Sequence, residues 1–216
     1  MSITIGHDAT AANFAKLPAG QAMGYASGTP EVDWTAAMWA ARPGAVRVWQ
    51  SPTLAPAACE CDVLDYEALA ATTADIAPWA TGALAAFKAG TRPGQRSPVV
   101  YCSRDSLTPA ANALTAAGLT GGDVGFGVAI PGEAEAAAIE AVTAASGPFP
   151  VHFVQFQWGG DYDTDVFSAA WLAGVSGPRD PARQVGKVHS DTTGGTATVY
   201  SVDGGQTWTF RKPAGF

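Results

Sequence analysis

Charge is scarce in this chain, and positive charge is scarcest. Charged residues make up 14% of the sequence, with 12 Lys and Arg against 19 Asp and Glu, for a formal net charge of −7. The basic residues form no run, so the electrostatic footprint of a nucleic-acid-binding surface is missing. A polybasic stretch that would hold the chain on an anionic membrane is missing too. No apolar run approaches the ~20 residues that a membrane-spanning helix needs. The first residues, MSITIGHDATAANFAKLP, have neither a basic start nor a continuous apolar stretch and do not read as a secretory signal. Nucleic-acid and membrane partners are therefore not expected. An extracellular role would need another exit, such as host lysis or packaging into a particle.

Cysteine is also sparse. Cys59, Cys61 and Cys102 give a Cys-x-Cys with one distant partner, and a fourth zinc ligand at useful spacing is missing. Buried thiols are one reading; a Cys61–Cys102 disulfide, if their strands are neighbours, is the other. No GxGxxG follows the first strand, so no nucleotide cofactor is expected. No Ser or Cys nucleophile motif occurs. His7, His152 and His189 are dispersed. Asp161, Asp163 and Asp165 resemble the start of a calcium loop, but Val166 and Leu172 stand where an EF-hand needs Gly and Glu. The expectation is no metal and no cofactor.

What is present is apolar substance, 47% of 216 residues, enough for a sizeable core. Residues 1–20 read as an N-terminal arm in which ITI forms at most a short strand, punctuated by Pro18 and Gly20. Strands are predicted at 23–29, 45–51, 61–67, 98–103, 123–131 and 150–158, each an apolar, β-branched or aromatic run. Between them lie helical stretches: 34–41 with Asp33 as N-cap, Ala-rich 68–90 interrupted by Pro78, 108–119 closed by Gly118, and 133–146 with acids in its first turn. A loop, DYDTDVF (161–167), and a short helix near SAAWLAG follow. This alternation predicts a parallel sheet with crossover helices, as a barrel or an open sheet. Residues 176–196 read as a Gly/Pro/Ser/Thr-rich linker. Residues 197–216 read as a β-hairpin around a DGG turn, and SVDGGQTW there matches the Asp-box pattern S-x-D-x-G-x-T-W. It occurs once, which excludes a propeller of repeated blades.

The chemistry is carried by carboxylates. VLDYE (63–67) is an apolar strand ending in Asp65 and Glu67, which alternation would aim the same way. Converging carboxylates are costly in a core, and enzymes use them to separate acid from base.

The ordered set GYASGTPEVDW, VRVWQ, VLDYE, SPVVYCS, GFGVAIP and HFVQFQWGGDYDTDVF resembles the glycoside hydrolase family 25 barrel of lysozyme-like muramidases, in a divergent actinobacterial and phage-borne branch. The resemblance spans roughly 22–172. It implies an α/β, TIM-like (β/α) barrel over residues 21–175, irregular in places, with the C-terminal hairpin as an appendage. It implies Glu67 as general acid, Asp65 as stabiliser of developing charge or orienter of an acetamido group, and Asp163 as a third acidic residue. Tyr101 and Gln155 match the family's Tyr and Gln. Trp49, Trp158, Tyr101 and Tyr25 would line the sugar site. The family's first-strand Gly-x-Asp falls at Gly24–Gly28, where the aspartate is replaced by Ala26 or Ser27, and Asp165 stands where Asn is usual. Two functions follow. One is a retaining glycosidase on bacterial cell-wall glycan. The other is a degenerate barrel, a pseudoenzyme serving as a structural or glycan-binding part of a bacteriophage virion. In that second case the arm and hairpin would contact other virion proteins or further copies, and the chain would sit in the virion, or in the cytoplasm before release.

Overall fold

Eight short strands close into a barrel: β1 (Ile3–Asp8), β2 (Gln21–Tyr25), β3 (Val46–Trp49), β4 (Val63–Asp65), β5 (Val99–Ser103), β6 (Gly125–Ala129), β7 (Val151–Gln157) and β8 (Asp163–Ser168). The structure is a computed structural model that describes residues 2–51, 54–67, 73–92, 96–143, 148–174, 184–189 and 196–201. From β1 to β7 each strand pairs in parallel with the next. β8 runs antiparallel to both β7 and β1 and closes the ring.

The barrel corrects two expectations. Residues 1–20 are not an arm: Ile3–Asp8 is a barrel strand held between β2 and β8. DYDTDVF is not only a loop, since Asp163–Ser168 is the closing strand. The architecture is thus α/β and barrel-shaped without being a regular (β/α) repeat. Besides the reversed last strand, β1 connects to β2 through a 3-10 turn (Ala11–Lys16), and the β3–β4 connection carries another (Pro56–Glu60). Helices α1 (Ala36–Ala41), α2 (Ile76–Lys88), α3 (Leu107–Ala116), α4 (Glu135–Thr143) and α5 (Ala169–Leu172) complete the unit. No described helix is long and apolar enough to cross a membrane.

Local chemistry explains the helix ends. Thr35, not Asp33, caps α1 by accepting from Met38 N at 3.3 Å. Pro78 lies in the first turn of α2, where a missing N–H costs nothing, so it opens this helix rather than interrupting one. Gly118 takes φ +77° after α3, and the next residue, Leu119, returns its N–H to Leu114.

Strand alternation divides the core in two. Inside the barrel lie Met23, Val46, Val48, Val63, Val99, Phe153 and Phe167, with Trp171 of α5 packed among them. Outside, Leu64, Val100, Cys102, Phe126, Val154 and Val166 meet Ile76, Trp79, Ala80 and Ala83 of α2. The two interior phenylalanines need room. A Cβ on Gly127 would come within 2.2 Å of the Phe153 ring, and one on Gly6 within 2.6 Å of Phe167. All three cysteines are free thiols, which decides against a Cys61–Cys102 bridge.

Asp62 is buried at the start of β4. It pairs with two buried arginines, Arg92 at 3.3 Å and Arg96 at 3.0 Å, and accepts from Arg47 N at 3.1 Å. Arg96 also donates to the Gly44 carbonyl and, at 3.3 Å, to that of Leu172. Arg92 donates to the carbonyls of Cys61 and Arg96. One carboxylate and several carbonyls thus hold two guanidinium groups out of water.

Residues 177–216 form a separate unit. Its described part is an antiparallel pair, β9 (Gln184–His189) and β10 (Thr196–Ser201), in register from Gln184 with Ser201 to His189 with Thr196. The expected 176–196 linker therefore contains a strand, and the hairpin begins earlier than 197. The Asp-box turn after Ser201 lies outside the described residues.

Replacing Asp62 by Ala strands two buried cations and is expected to cost about 3–5 kcal/mol of unfolding free energy. Urea denaturation of the two proteins at neutral pH measures it; a loss under ~1 kcal/mol would show the arginines to be satisfied by the carbonyls alone.

Candidate active site

The C-terminal ends of the parallel strands carry polar side chains where the interior stops being apolar. β1 ends in Asp8, β2 in Tyr25 and β4 in Asp65, while β5 presents Tyr101 and β7 Gln155; these five surround a small cavity of about 20 Å³, floored by Met23, Val48, Val63 and Phe153. That is room for one water. Because β8 runs the other way, its first residues reach the same end. Asp163 lies opposite Asp8 in the β1–β8 ladder, and Asp165 lies opposite Gly6 on one side and Gln155 on the other.

Gln155 joins these groups. Its Nε2 donates to Asp8 Oδ2 at 2.8 Å and to Asp163 Oδ2 at 3.3 Å. Its Oε1 accepts from Tyr101 Oη at 2.5 Å and from Trp158 Nε1 at 3.0 Å. All four hydrogen-bonding positions of the amide are used, and the opposite flip would set the oxygen against two carboxyls. Tyr25 Oη donates to Asp8 Oδ1 at 2.9 Å. Asp65 accepts from Gln50 Nε2 at 3.1 Å and from Glu67 N at 3.0 Å. Asp163 also accepts from Gly159 N at 2.9 Å.

The titration of these groups follows from burial among like charges. Burial first, and the charge of Asp163 second, push Asp8 up to about 6, against the pull of hydrogen bonds from Tyr25, Gln155 and Asp165. Burial raises Asp163, opposed by Gly159 N. Burial, then Asp8 and Asp163, raise Asp165 well above the carboxylate range. Burial raises Tyr101, with the charges of Glu67 and Asp65 next in importance, and burial likewise raises Tyr25, followed by Asp8. Both phenols are therefore neutral donors.

Most of the sequence-predicted residues meet here. Asp65, Asp163, Tyr101, Gln155 and Tyr25 converge at the mouth, and Trp158, 62% exposed, stands at its rim, tied to Gln155. Glu67 does not share a strand face with Asp65 as alternation suggested. β4 stops at Asp65, and Glu67 follows in an exposed turn whose N–H points back to the Asp65 carboxylate. Trp49 is not in the site. It points outward from β3 into the core beneath the helices, while its neighbour Val48 faces inward.

Asp8 joins the cluster although its segment was expected to be an arm outside the barrel. It stands in Gly6-His7-Asp8 on the first barrel strand, whereas the Gly24–Gly28 stretch holds no carboxyl. The signal was a Gly-x-Asp following ITI, with the glycine required by Phe167. Ser27 orders the loop after β2 instead. Its N–H and hydroxyl donate to Asp33, which also accepts from Gly28 N and from Thr29 N at 3.1 Å. Among the described residues, no group of three or more His, Cys, Asp or Glu side chains is arranged to hold a metal ion.

A carboxyl raised on folding stabilises the protein at low pH, and that contribution is lost as pH rises through the folded-state value. For Asp8 the window runs from 3.8 to about 6. Relative to Asp8→Asn, the wild type should lose about 2 kcal/mol of unfolding free energy between pH 4 and pH 7. Paired denaturant titrations at the two pH values check this; a wild type that gains on the variant as pH rises would contradict the burial argument.

No family model matches this chain, and no curated protein does. Among solved structures it is similar to an uncharacterized B. stearothermophilus protein whose crystal structure was determined at 1.07 Å, with 12% sequence identity, coverage of 78% of this chain and 97% of that one, and a TM-score of 0.40, a level that supports no inference.

Proposed function

We propose that this chain is a muramidase-type glycoside hydrolase acting on bacterial cell-wall glycan. The observation that carries the reading is the cluster of inward carboxyls, Asp8, Asp65, Asp163 and Asp165, at one barrel mouth. Neutral hydroxyl, amide and backbone N–H groups donate to Asp8, Asp65 and Asp163. Such a mouth repels anionic ligands. It suits a neutral polyol whose transition state gains positive charge at the anomeric carbon. The water-sized cavity leaves the sugar to lie across the mouth, with Trp158 as a stacking face at its rim.

In this reaction Glu67 gives its proton to the leaving glycosidic oxygen as the bond to the anomeric carbon breaks. Asp65, its two oxygens faced by the N–H groups of Gln50 and Glu67, stabilises the positive charge or orients the acetamido group that does. Water then completes hydrolysis and returns a proton to Glu67. The competing reading, a degenerate barrel kept for its shape in a virion, drew on the replaced first-strand aspartate, the character of the N-terminal residues and the two appendages; Asp8 weakens the first of these by supplying a carboxyl on β1.

Release of reducing ends from actinobacterial peptidoglycan tests the proposal. Glu67→Gln should lower kcat by about 10²–10⁴ without loss of fold, and Trp158→Ala should raise KM more than it lowers kcat. Folded wild-type protein that releases nothing between pH 4 and pH 8 would reject hydrolysis; retention on the same glycan would then favour the binding role.

A further inference from the structure

Asp165 lies deepest among the mouth carboxyls and is completely buried, and neither of its oxygens has a hydrogen-bond donor within reach. Every neighbour that could supply one is committed elsewhere. Gln155, opposite it on β7, gives both amide hydrogens to Asp8 and Asp163. Tyr25 from β2 gives its hydroxyl to Asp8, and Tyr101 from β5 gives its own to Gln155. Gly6, opposite on β1, has no side chain. The titratable groups facing Asp165 are Asp8 from β1 and Asp163 on its own strand, with Tyr25 and Tyr101 near enough to feel its charge. None of these is a cation. His7, the neighbour of Asp8 on β1, packs edge-on against Tyr162 at 4.9 Å, and burial lowers its pKa against the pull of the Asp163 backbone.

An ionised carboxylate can only accept hydrogen bonds. Asp165 in that form would be an unsolvated charge beside two others, which is among the costliest arrangements a core can hold. The group within hydrogen-bonding reach is the Asp8 carboxyl, also an acceptor when ionised. Two acceptors approach each other only with a proton between them. No cluster suited to a metal ion lies among the described residues, and a proton is the cation that two such oxygens can share directly.

We propose that Asp165 is a neutral carboxylic acid near pH 7, donating its proton to Asp8, and that it acts as a positioning residue for the Asp8 carboxylate. Asp8 is then one anion held by three donors: the Tyr25 hydroxyl and the Gln155 amide, at 2.9 and 2.8 Å, and the Asp165 acid. The pair carries a single negative charge. This assignment does not depend on the glycan chemistry proposed above, because it follows from burial and donor count whatever the mouth binds.

Carbon-13 NMR of aspartate carboxyls, assigned through their own backbones, tests it in the full chain. The Asp165 carboxyl should hold the chemical shift of a protonated acid from pH 5 to pH 8, while Asp8 titrates within that range. In Asp165→Asn, whose amide keeps a donor at this place, the protonated signal should vanish and the Asp8 midpoint should stay close to that of the wild type. In Asp165→Leu, which removes the donor, the Asp8 midpoint should move up. The wild-type spectrum decides even if neither variant folds: an Asp165 carboxyl already ionised at pH 7 overturns the proposal. So does a protonated signal that survives Asp165→Asn. Equal Asp8 midpoints in the Asn and Leu variants overturn the positioning role.

Discussion

The β1–β8 ladder runs through six residue pairs, from Ile3 with Ser168 to Asp8 with Asp163. Parallel strands bring only their C-terminal ends to one rim of a barrel. A closing strand that runs the opposite way brings its N-terminal residues there instead. That reversal is why Asp163 and Asp165, early in β8, face Asp8, late in β1. It also aligns Phe167 with Phe153 across β7, so the same register that assembles carboxyls at the mouth assembles aromatic rings below them. A one-residue slip would exchange these groups with Thr164 and Val166, turning the acids toward the helices.

The barrel is electrically graded as a result. Its interior is apolar through the middle. Arg92 and Arg96 are buried around Asp62, at the start of β4, while carboxyls gather at the strand ends. The two polar regions solve opposite problems with the same tools. Excess positive charge around Asp62 is spread over backbone carbonyls. Excess negative charge at the mouth is met by a hydroxyl, two side-chain amides and backbone N–H groups. Folding stability and site chemistry pull apart only at the mouth, where like charges are held close at an energetic cost.

Legibility in the sequence followed the kind of force involved. The strands from β2 to β7 were readable because each is an apolar run flanked by turn residues; Asp65 was read at the end of its strand, whereas Tyr101 and Gln155 came from the resemblance. β1 was hidden because its inward residues, Thr4, Gly6 and Asp8, include no large apolar side chain, and Pro18 and Gly20 made the whole segment look detachable. β8 was hidden for a related reason: DTDVF alternates acids inward with Thr164 and Val166 outward, the reverse of the usual polarity, and so reads as loop. Trp49 was misplaced because an aromatic beside a predicted site looks like a ligand platform, whereas alternation from Val48 already sent it outward. The Asp62–Arg92–Arg96 cluster joins residues up to 34 positions apart and has no local signal at all.

Gln155 shows how the rim and the interior are made one unit. Trp158 is exposed, yet its indole N–H ends on the same oxygen that receives the Tyr101 hydroxyl. The other end of that amide holds Asp8 and Asp163. With all four positions filled, the amide cannot rotate without breaking every bond at once. The exposed Trp158 is therefore tied to a side chain whose orientation is fixed by the buried acids, and the acids are held by a side chain that connects to the surface. A Glu in this place would offer no hydrogens to Asp8 and would add another negative charge. A Leu would leave a phenol, an indole and two carboxyls to find water in a space with room for one. Glutamine alone among side chains of this length supplies two acceptor positions on one side and two donors on the other, which is what a mouth built from both acids and hydroxyls requires.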